Sequence, residues 1–414
     1  MWPTPGARLA TPTEVCLMSQ IPSFDIDPYS DEHLESPYAL HEQFRRAGPI
    51  VYWERHDVFA MPRHKEILPT LKDWETFSST GGSGIADIRK PDAWRPGSPI
   101  VEVDPPSHSK VRAVMQRVLS PVVLRKWRDD FAAEADKLVL ELLEKQSFDG
   151  VADLAETYVA TVFPRALGLA PSPEQRKNLF LLGELNFDGQ GPRNARFLET
   201  ERRASQIVDW YEEHMQRDRS LPGGFGDMLF QAADRGEIDH DTASLLVRSL
   251  LRGGLDTTAS TISATIRYLA EHPDQYQQLC EDPGKARSAL EESMRMETPI
   301  QTAARQTTRD VQFGEYTVPE DSKIIVLLAS ANRDPDFWTA PDQYDMNRSK
   351  QGHVALGSGI HMCVGQMVAR MEGELLLQAL VRHVAAIELD GEPVQRLNNN
   401  LRSLGSLPVR ITPS

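Results

Sequence analysis

The stretch Leu356-Gly357-Ser358-Gly359-Ile360-His361-Met362-Cys363-Val364-Gly365 decides how the rest of the chain is read. Beyond it Met367, Val368, Met371, Leu375, Leu376, Ala379 and Leu380 recur at helical spacing, so the cysteine stands just before a helix start. Free backbone N–H groups and the positive end of the helix dipole gather there, and both favour a thiolate over a thiol. Gly357, Gly359 and Gly365 leave room for a flat group against the backbone and allow the tight turn that aims the sulfur. The plainer alternative is a buried cysteine in a glycine-rich loop. It leaves the fixed offsets of the glycines and the histidine unexplained.

The loop resembles the haem-binding signature of the cytochrome P-450 superfamily, in which an aromatic residue, a glycine, a second glycine, a basic residue and the ligand cysteine follow in order. Leu356 stands where that signature has phenylalanine. The resemblance implies a mainly α fold with minor β, the triangular cytochrome P-450 fold, over nearly the full length. It also implies haem b (iron protoporphyrin IX), with Cys363 as the metal ligand and Gly357 and Gly365 beside it.

The chain has 414 residues, 40% hydrophobic and 25% charged, enough apolar side chain for a large core. No Gly/Ser-rich linker, repeat or low-complexity block divides it, so 1–414 reads as one domain with 1–20 as a flexible tail. The tail has Pro3, Pro5, Pro12 and Glu14 and lacks the apolar run of a signal peptide or membrane anchor. Cys16, Cys280 and Cys363 are too few and too scattered for a disulfide framework or a zinc cage, so a reducing cytoplasm is expected. A net charge of −15, from 45 basic and 60 acidic residues, argues against nucleic acid or anionic membrane as a partner. Nothing demands more than a monomer. Within this acidic chain Lys110, Arg112, Arg117, Arg125, Lys126 and Arg128 cluster, either as a solvated helix face or as a docking patch for an acidic electron carrier.

Strand-like pieces at 50–53 and 58–61 are followed by a glycine- and proline-rich stretch, 81–99, that reads as a long loop covering a site. A mainly helical pattern runs from Ser107 to about His272, interrupted at Pro164, Pro171 and Pro222. Strand-rich patches follow at 305–328 and 407–411. The longest helix candidate, 241–271, contains Gly253-Gly254-Leu255-Asp256-Thr257-Thr258. Two mid-helix glycines, each about 1 kcal/mol worse than alanine, point to a kinked or widened turn that admits a small molecule. A tight helix crossing is the alternative. The segment resembles the superfamily's oxygen-binding motif, whose acid–alcohol pair delivers protons where dioxygen is activated, and Asp256 and Thr257 take those positions.

Glu292 and Arg295 match the superfamily's Glu-x-x-Arg pair, and Arg348 its later partner, a structural brace beneath the haem. His108, Arg112, Arg305 and His361 match positions that hold the haem propionates. Val247 to Leu251, Trp94 to Ser98 and Gly352 to Val354 narrow the resemblance to soluble bacterial members that oxidise para-substituted benzoic acids. There Arg95 and Ser98, with Arg248 and Ser249, anchor the substrate carboxylate. Phe187 keeps an aromatic wall, whereas Gln190 replaces one and Ala303 and Ala304 stand where phenylalanines pack on the ring. Arg252 and Gly253 replace serine and alanine. Arg252 either duplicates the anion site or pairs with Asp256 one turn on.

The expectation is a haem-thiolate monooxygenase that uses dioxygen on a small aromatic carboxylic acid. O-demethylation or hydroxylation falls at the para position of a bulky benzoate or a cinnamate-like acid. Electrons come from NAD(P)H through a ferredoxin reductase and a two-iron ferredoxin. The alternatives are a monooxygenase of a larger terpenoid, fatty or polyketide acid, and a non-catalytic haem or ligand-binding protein.

Overall fold

The computed structural model describes residues 21–91, 93–349 and 352–414, so the expected tail at 1–20 and its Cys16 lie outside the described residues. A six-stranded sheet, with continuous buried runs at its centre, is built from β1 (Ser23–Phe24), β2 (Val51–Trp53), β3 (Val58–Met61), β4 (Phe77–Ser78), β5 (Thr302–Thr307) and β6 (Lys323–Leu327). Its spatial order is β1-β2-β3-β6-β5-β4. β5 and β6 run antiparallel with Ala303 opposite Val326 and Arg305 opposite Ile324, and β6 joins β3 in parallel. Helices hold 52% of the chain and strands 13%, so the sheet is the minor layer, as expected.

The helices that frame the site are α1 (His64–Lys72), α2 (Ser107–Val118), α3 (Pro173–Asp188), α4 (Ala195–Ala204), α5 (Val208–His214), α6 (His240–Gly254), α7 (Asp256–Glu271), α8 (Ala286–Glu297) and α9 (Gln366–His383). α7, α8, α9 and the helix 128–145 bring Phe131, Val139, Ile262, Leu290 and Leu376 into one core, each no more than 1% exposed. Burying each such side chain contributes roughly 1.5–3 kcal/mol. That core fixes α7 and α9 relative to each other, and hence the two sides of the site.

The expected single helix over 241–271 is two helices that meet at Leu255 (φ −83°, ψ −70°). Its two glycines differ in purpose. A Cβ on Gly254 would meet the Phe163 ring at 2.5 Å, whereas one on Gly253 would meet nothing within 4 Å. Gly254 is therefore a close helix crossing, and Gly253 faces open space. Pro164, expected to interrupt a helix, lies buried inside the helix 157–167, where tertiary packing outweighs the lost backbone bond. Among the described residues no helix is long and apolar enough to cross a membrane.

Candidate active site

Cys363 lies two residues before the N-cap of α9, in a loop closed by its own N–H to Leu356 O at 2.8 Å. Gly357 and Gly359 both adopt φ +69°, which side chains rarely tolerate. A Cβ on Gly359 would strike the Leu71 carbonyl of α1 at 2.4 Å, so this glycine fits the loop against a helix and not against a macrocycle. The thiol also differs from expectation. Burial raises its pKa above the usual value, although the Gly365 amide, Arg112 and the Gln366 amide pull it down. The loop alone leaves a thiol, and coordination to a metal ion would remove its proton.

The sulfur faces a cavity of about 660 Å³. Its wall combines Leu356, Gly357, His361 and Gly365 with Gly253, Gly254 and Thr257 from the α6/α7 break. Arg112, Arg305, Arg95, Ser98, Phe187, Gln190, Arg248, Ser249, Arg252 and Ala303 complete the expected residues found there. His108 sits behind this wall, its ring 4.5 Å from that of His361. Among the described residues, His108 Nε2 and both nitrogens of His361 are buried with no hydrogen-bond partner; His361 Nε2 is 3.9 Å from Asp104. Arg305 is 7% exposed, donates to the Ala304 carbonyl at 2.7 Å, and is pushed down to about 10 by burial. Orphaned donors and a buried guanidinium beside one cavity fit a macrocycle with anionic arms, and the inward-facing thiol fits an iron at its centre. Among the described residues no group of three or more His, Cys, Asp or Glu gathers to hold a metal in another way.

Two expected residues are placed differently. Ala304 is fully buried among Phe44, Trp53 and Leu327, because alternate strand residues face opposite sides and its neighbours Ala303 and Arg305 turn to the cavity. Asp256 points away from the cavity: its Oδ2 lies against α3, where a Cβ on Gly183 would meet it at 1.8 Å. It makes no ion pair with Arg252, and burial holds its carboxyl well above the usual range despite nearby Arg396. Thr257 does reach the cavity, and its hydroxyl donates to the Gly253 carbonyl at 2.7 Å across the break.

Arg95 lines the cavity with its fork already engaged. Its two terminal nitrogens each lie 2.7 Å from one oxygen of Glu102, whose side chain is 1% exposed. Glu102 also accepts the Ser83 N–H and hydroxyl and the Ser98 N–H. Burial would raise this carboxyl, but Arg95, Ser83 and Ser98 hold it at about 2. Sequence reasoning missed Glu102, and its sole signal is a lone carboxylate between two valines seven residues after Arg95.

Glu292 and Arg295 form a bidentate pair at 2.8 and 2.9 Å, and Arg348 Nε adds 2.9 Å to the same carboxylate. Arg295 also donates to the carbonyls of Asn332, Pro341 and Gln343. The cluster ties α8 to the segment 332–348 and stands apart from the cavity wall.

A helical frame, a broken helix over a cavity and a thiol facing that cavity before α9 define a haem-thiolate oxygenase. The chain belongs to the cytochrome P450 family: the family model described as Cytochrome P450 matches residues 201–412. It is 46% identical over 395 residues to cytochrome p450 CYP199A2 of Rhodopseudomonas palustris, covering 95% of each chain. It is 29% identical over 405 residues to the beta-dihydromenaquinone-9 omega-hydroxylase of Mycobacterium tuberculosis, covering 94% of this chain and 79% of that one. Among solved structures it resembles cytochrome P450 CYP109Q5 from Chondromyces apiculatus, with TM-score 0.77, 28% identity, and coverage of 94% and 99%. Cytochrome P450 CREJ in complex with (4-ethylphenyl) dihydrogen phosphate shares the fold, with TM-score 0.83, 24% identity, and coverage of 93% and 99%. The protein is a monooxygenase of bacterial P450 type whose cofactor is haem b.

Proposed function

We propose that this monooxygenase acts on a small aromatic carboxylic acid, a para-substituted benzoate or a cinnamate-like acid, by O-demethylation or hydroxylation at the para position. The observation that carries the reading is a cavity with apolar walls, including Phe187, Leu250 and Ala303, whose α6 side presents Arg248, Ser249 and Arg252. An apolar body with a few convergent polar groups suits an acid with a flat ring. The same cavity takes the macrocycle, so the substrate's share is modest, which favours a small acid over a polyketide. Alanine at 303 leaves room beside the ring for a bulky substituent.

Bound haem supplies the redox chemistry that activates dioxygen. Each turnover takes two electrons and two protons; one oxygen atom enters the substrate and the other leaves as water. The chain's own residues position and protonate. Thr257 holds its hydroxyl at the cavity, and Asp256 keeps its carboxyl, raised well above the usual range by burial, on the opposite side of the same turn, near Glu184 and Glu156. Rotation of Asp256, or one bridging water, would pass a proton from that side to the Thr257 hydroxyl. Arg112, Arg305, His108 and His361 would hold the propionates. Lys110, Arg117, Arg125, Lys126 and Arg128 are exposed and form a basic surface that would receive an acidic two-iron ferredoxin, reduced by an NAD(P)H-dependent reductase.

Titration of the holoenzyme with a panel of aromatic acids, followed by the haem spin-state band, tests the substrate. Product analysis with a reconstituted ferredoxin system tests the position of attack. No shift with any aromatic carboxylate rejects the reading.

A further inference from the structure

Gln190 stands at the corner between α3 and α4, half-buried, with its side chain on the cavity wall. Its backbone is held on both sides. Its N–H donates to the Phe187 carbonyl at 3.1 Å, its carbonyl accepts the Ile85 N–H at 2.9 Å, and a Cβ on Gly84 would strike that carbonyl at 2.1 Å. Asn400, 1% exposed, then fixes which way the Gln190 amide faces. The Thr302 N–H can only donate, so the Asn400 atom 2.8 Å from it is Oδ1; the Thr302 carbonyl can only accept, so the atom 3.1 Å from it is Nδ2. The same Nδ2 donates to the Gln190 side chain, which must therefore meet it with Oε1. Nε2, at the other end of that amide, carries two N–H donors and has no hydrogen-bond partner among the described residues. Because one Asn400 nitrogen bonds both Gln190 and the Thr302 carbonyl, the amide lies beside the space that Ala303 leaves in the wall.

We propose that Gln190 is a specificity-determining residue that donates from Nε2 to an oxygen on the edge of the substrate ring. The site then prefers an aromatic acid with a further ether or hydroxyl oxygen beside its para group. The inference rests on the reading of the substrate as an aromatic acid, and it names the substitution of the ring. Losing the aromatic side chains at 190 and 303 would by itself give only a wider apolar wall. A donor held in place there tells oxygen from carbon, because a carbon substituent of equal size fills the space and leaves the N–H groups unpaired.

The test uses holoenzyme and two pairs of probes, with affinities read from the haem band. The first pair, 3,4-dimethoxybenzoate and 3-ethyl-4-methoxybenzoate, differs by an oxygen in place of a methylene. The second, 4-(3-methoxyphenyl)imidazole and 4-(3-ethylphenyl)imidazole, makes the same exchange on a ring anchored by the iron and needs no acid group. Wild type binds the oxygen member more tightly by about fivefold or more, the cost of leaving the donor unpaired. Gln190→Leu, of similar size, brings that ratio close to one, whatever it does to absolute affinity. Gln190→Glu keeps an oxygen for Asn400 and turns the cavity end into an acceptor, so 3-hydroxy-4-methoxybenzoate gains on 3,4-dimethoxybenzoate, a change that a merely structural side chain would not produce. An unchanged ferrous–CO band in each variant shows that the haem site persists. A Gln190-dependent preference in the imidazole pair with no shift for any benzoate supports the proposal and rejects the aromatic-acid reading. Benzoates that bind with no oxygen preference overturn the proposal and leave that reading standing. A preference that survives Gln190→Leu overturns the proposal as well.

Discussion

Replacing Glu102 by glutamine keeps the shape of the brace and removes its charge. Glu102 is held at about 2 against an ordinary 4.5, so its ionised form is favoured by about 3 kcal/mol in the folded state. Little discount for solvent applies, since Glu102 and Arg95 side chains are 1% and 13% exposed. Glu102→Gln is thus expected to lose about 3 kcal/mol at pH 7. With an unfolding entropy of roughly 2.1 cal/mol/K per residue, this lowers the melting temperature by about 3–4 °C in a chain of this length. A depressed carboxyl contributes above its unfolded pKa and loses that contribution as pH falls. The gap between wild type and variant is therefore flat from pH 8 to about 5 and narrows below about 4.5. Urea unfolding of the holoprotein, followed by far-UV circular dichroism and the haem band at each pH, measures it. A gap below about 1 kcal/mol at pH 7, or one that widens on acidification, refutes the argument.

Burial raises the Asp256 carboxyl well above the usual range and so disfavours its charge, and Asp256→Asn is expected to leave the melting temperature within about 2 °C while slowing product formation on the order of 10²-fold, the scale of a lost proton relay. Equal turnover in the two proteins removes Asp256 from the relay. Asp188 is buried, accepts from Thr200 and the Asn399 amide at 2.8 Å each, and is raised by burial from 3.8 to about 6. Its contribution is full below pH 3.8 and is lost as pH rises through about 6. Over that interval wild type falls by about 3 kcal/mol relative to Asp188→Asn in denaturant titrations, and a constant difference contradicts it. The two alanines separate cleanly. Ala304→Phe overpacks the fully buried face and costs about 1–3 kcal/mol or more, whereas Ala303→Phe changes stability little and excludes the bulkier acids in the spin-state assay.

Much of the chemistry is written locally. Cys363, its glycines and the apolar rhythm after it can be read because a helix start and a tight turn are set by residues a few positions apart. The Gly253-Gly254 break is legible for the same reason, since glycine cost and hydroxyl back-bonding act within one turn. The Glu292–Arg295 pair lies at helical spacing, although its burial and its bonds to three distant carbonyls do not. Sequence by itself therefore determined the family, the cofactor and the mainly helical fold. Tertiary structure alone decided which side chains pair with one another and which face the cavity. Glu102 neutralises Arg95 because the loop folds back on itself, Ala304 is lost to the core because of the phase of β5, and Asp256 turns to α3 because Gly183 leaves it space. The physical reason is common to all three. Spacing along the chain sets turns and periodicity, while charge pairing and the facing of a side chain depend on partners brought from elsewhere in the fold.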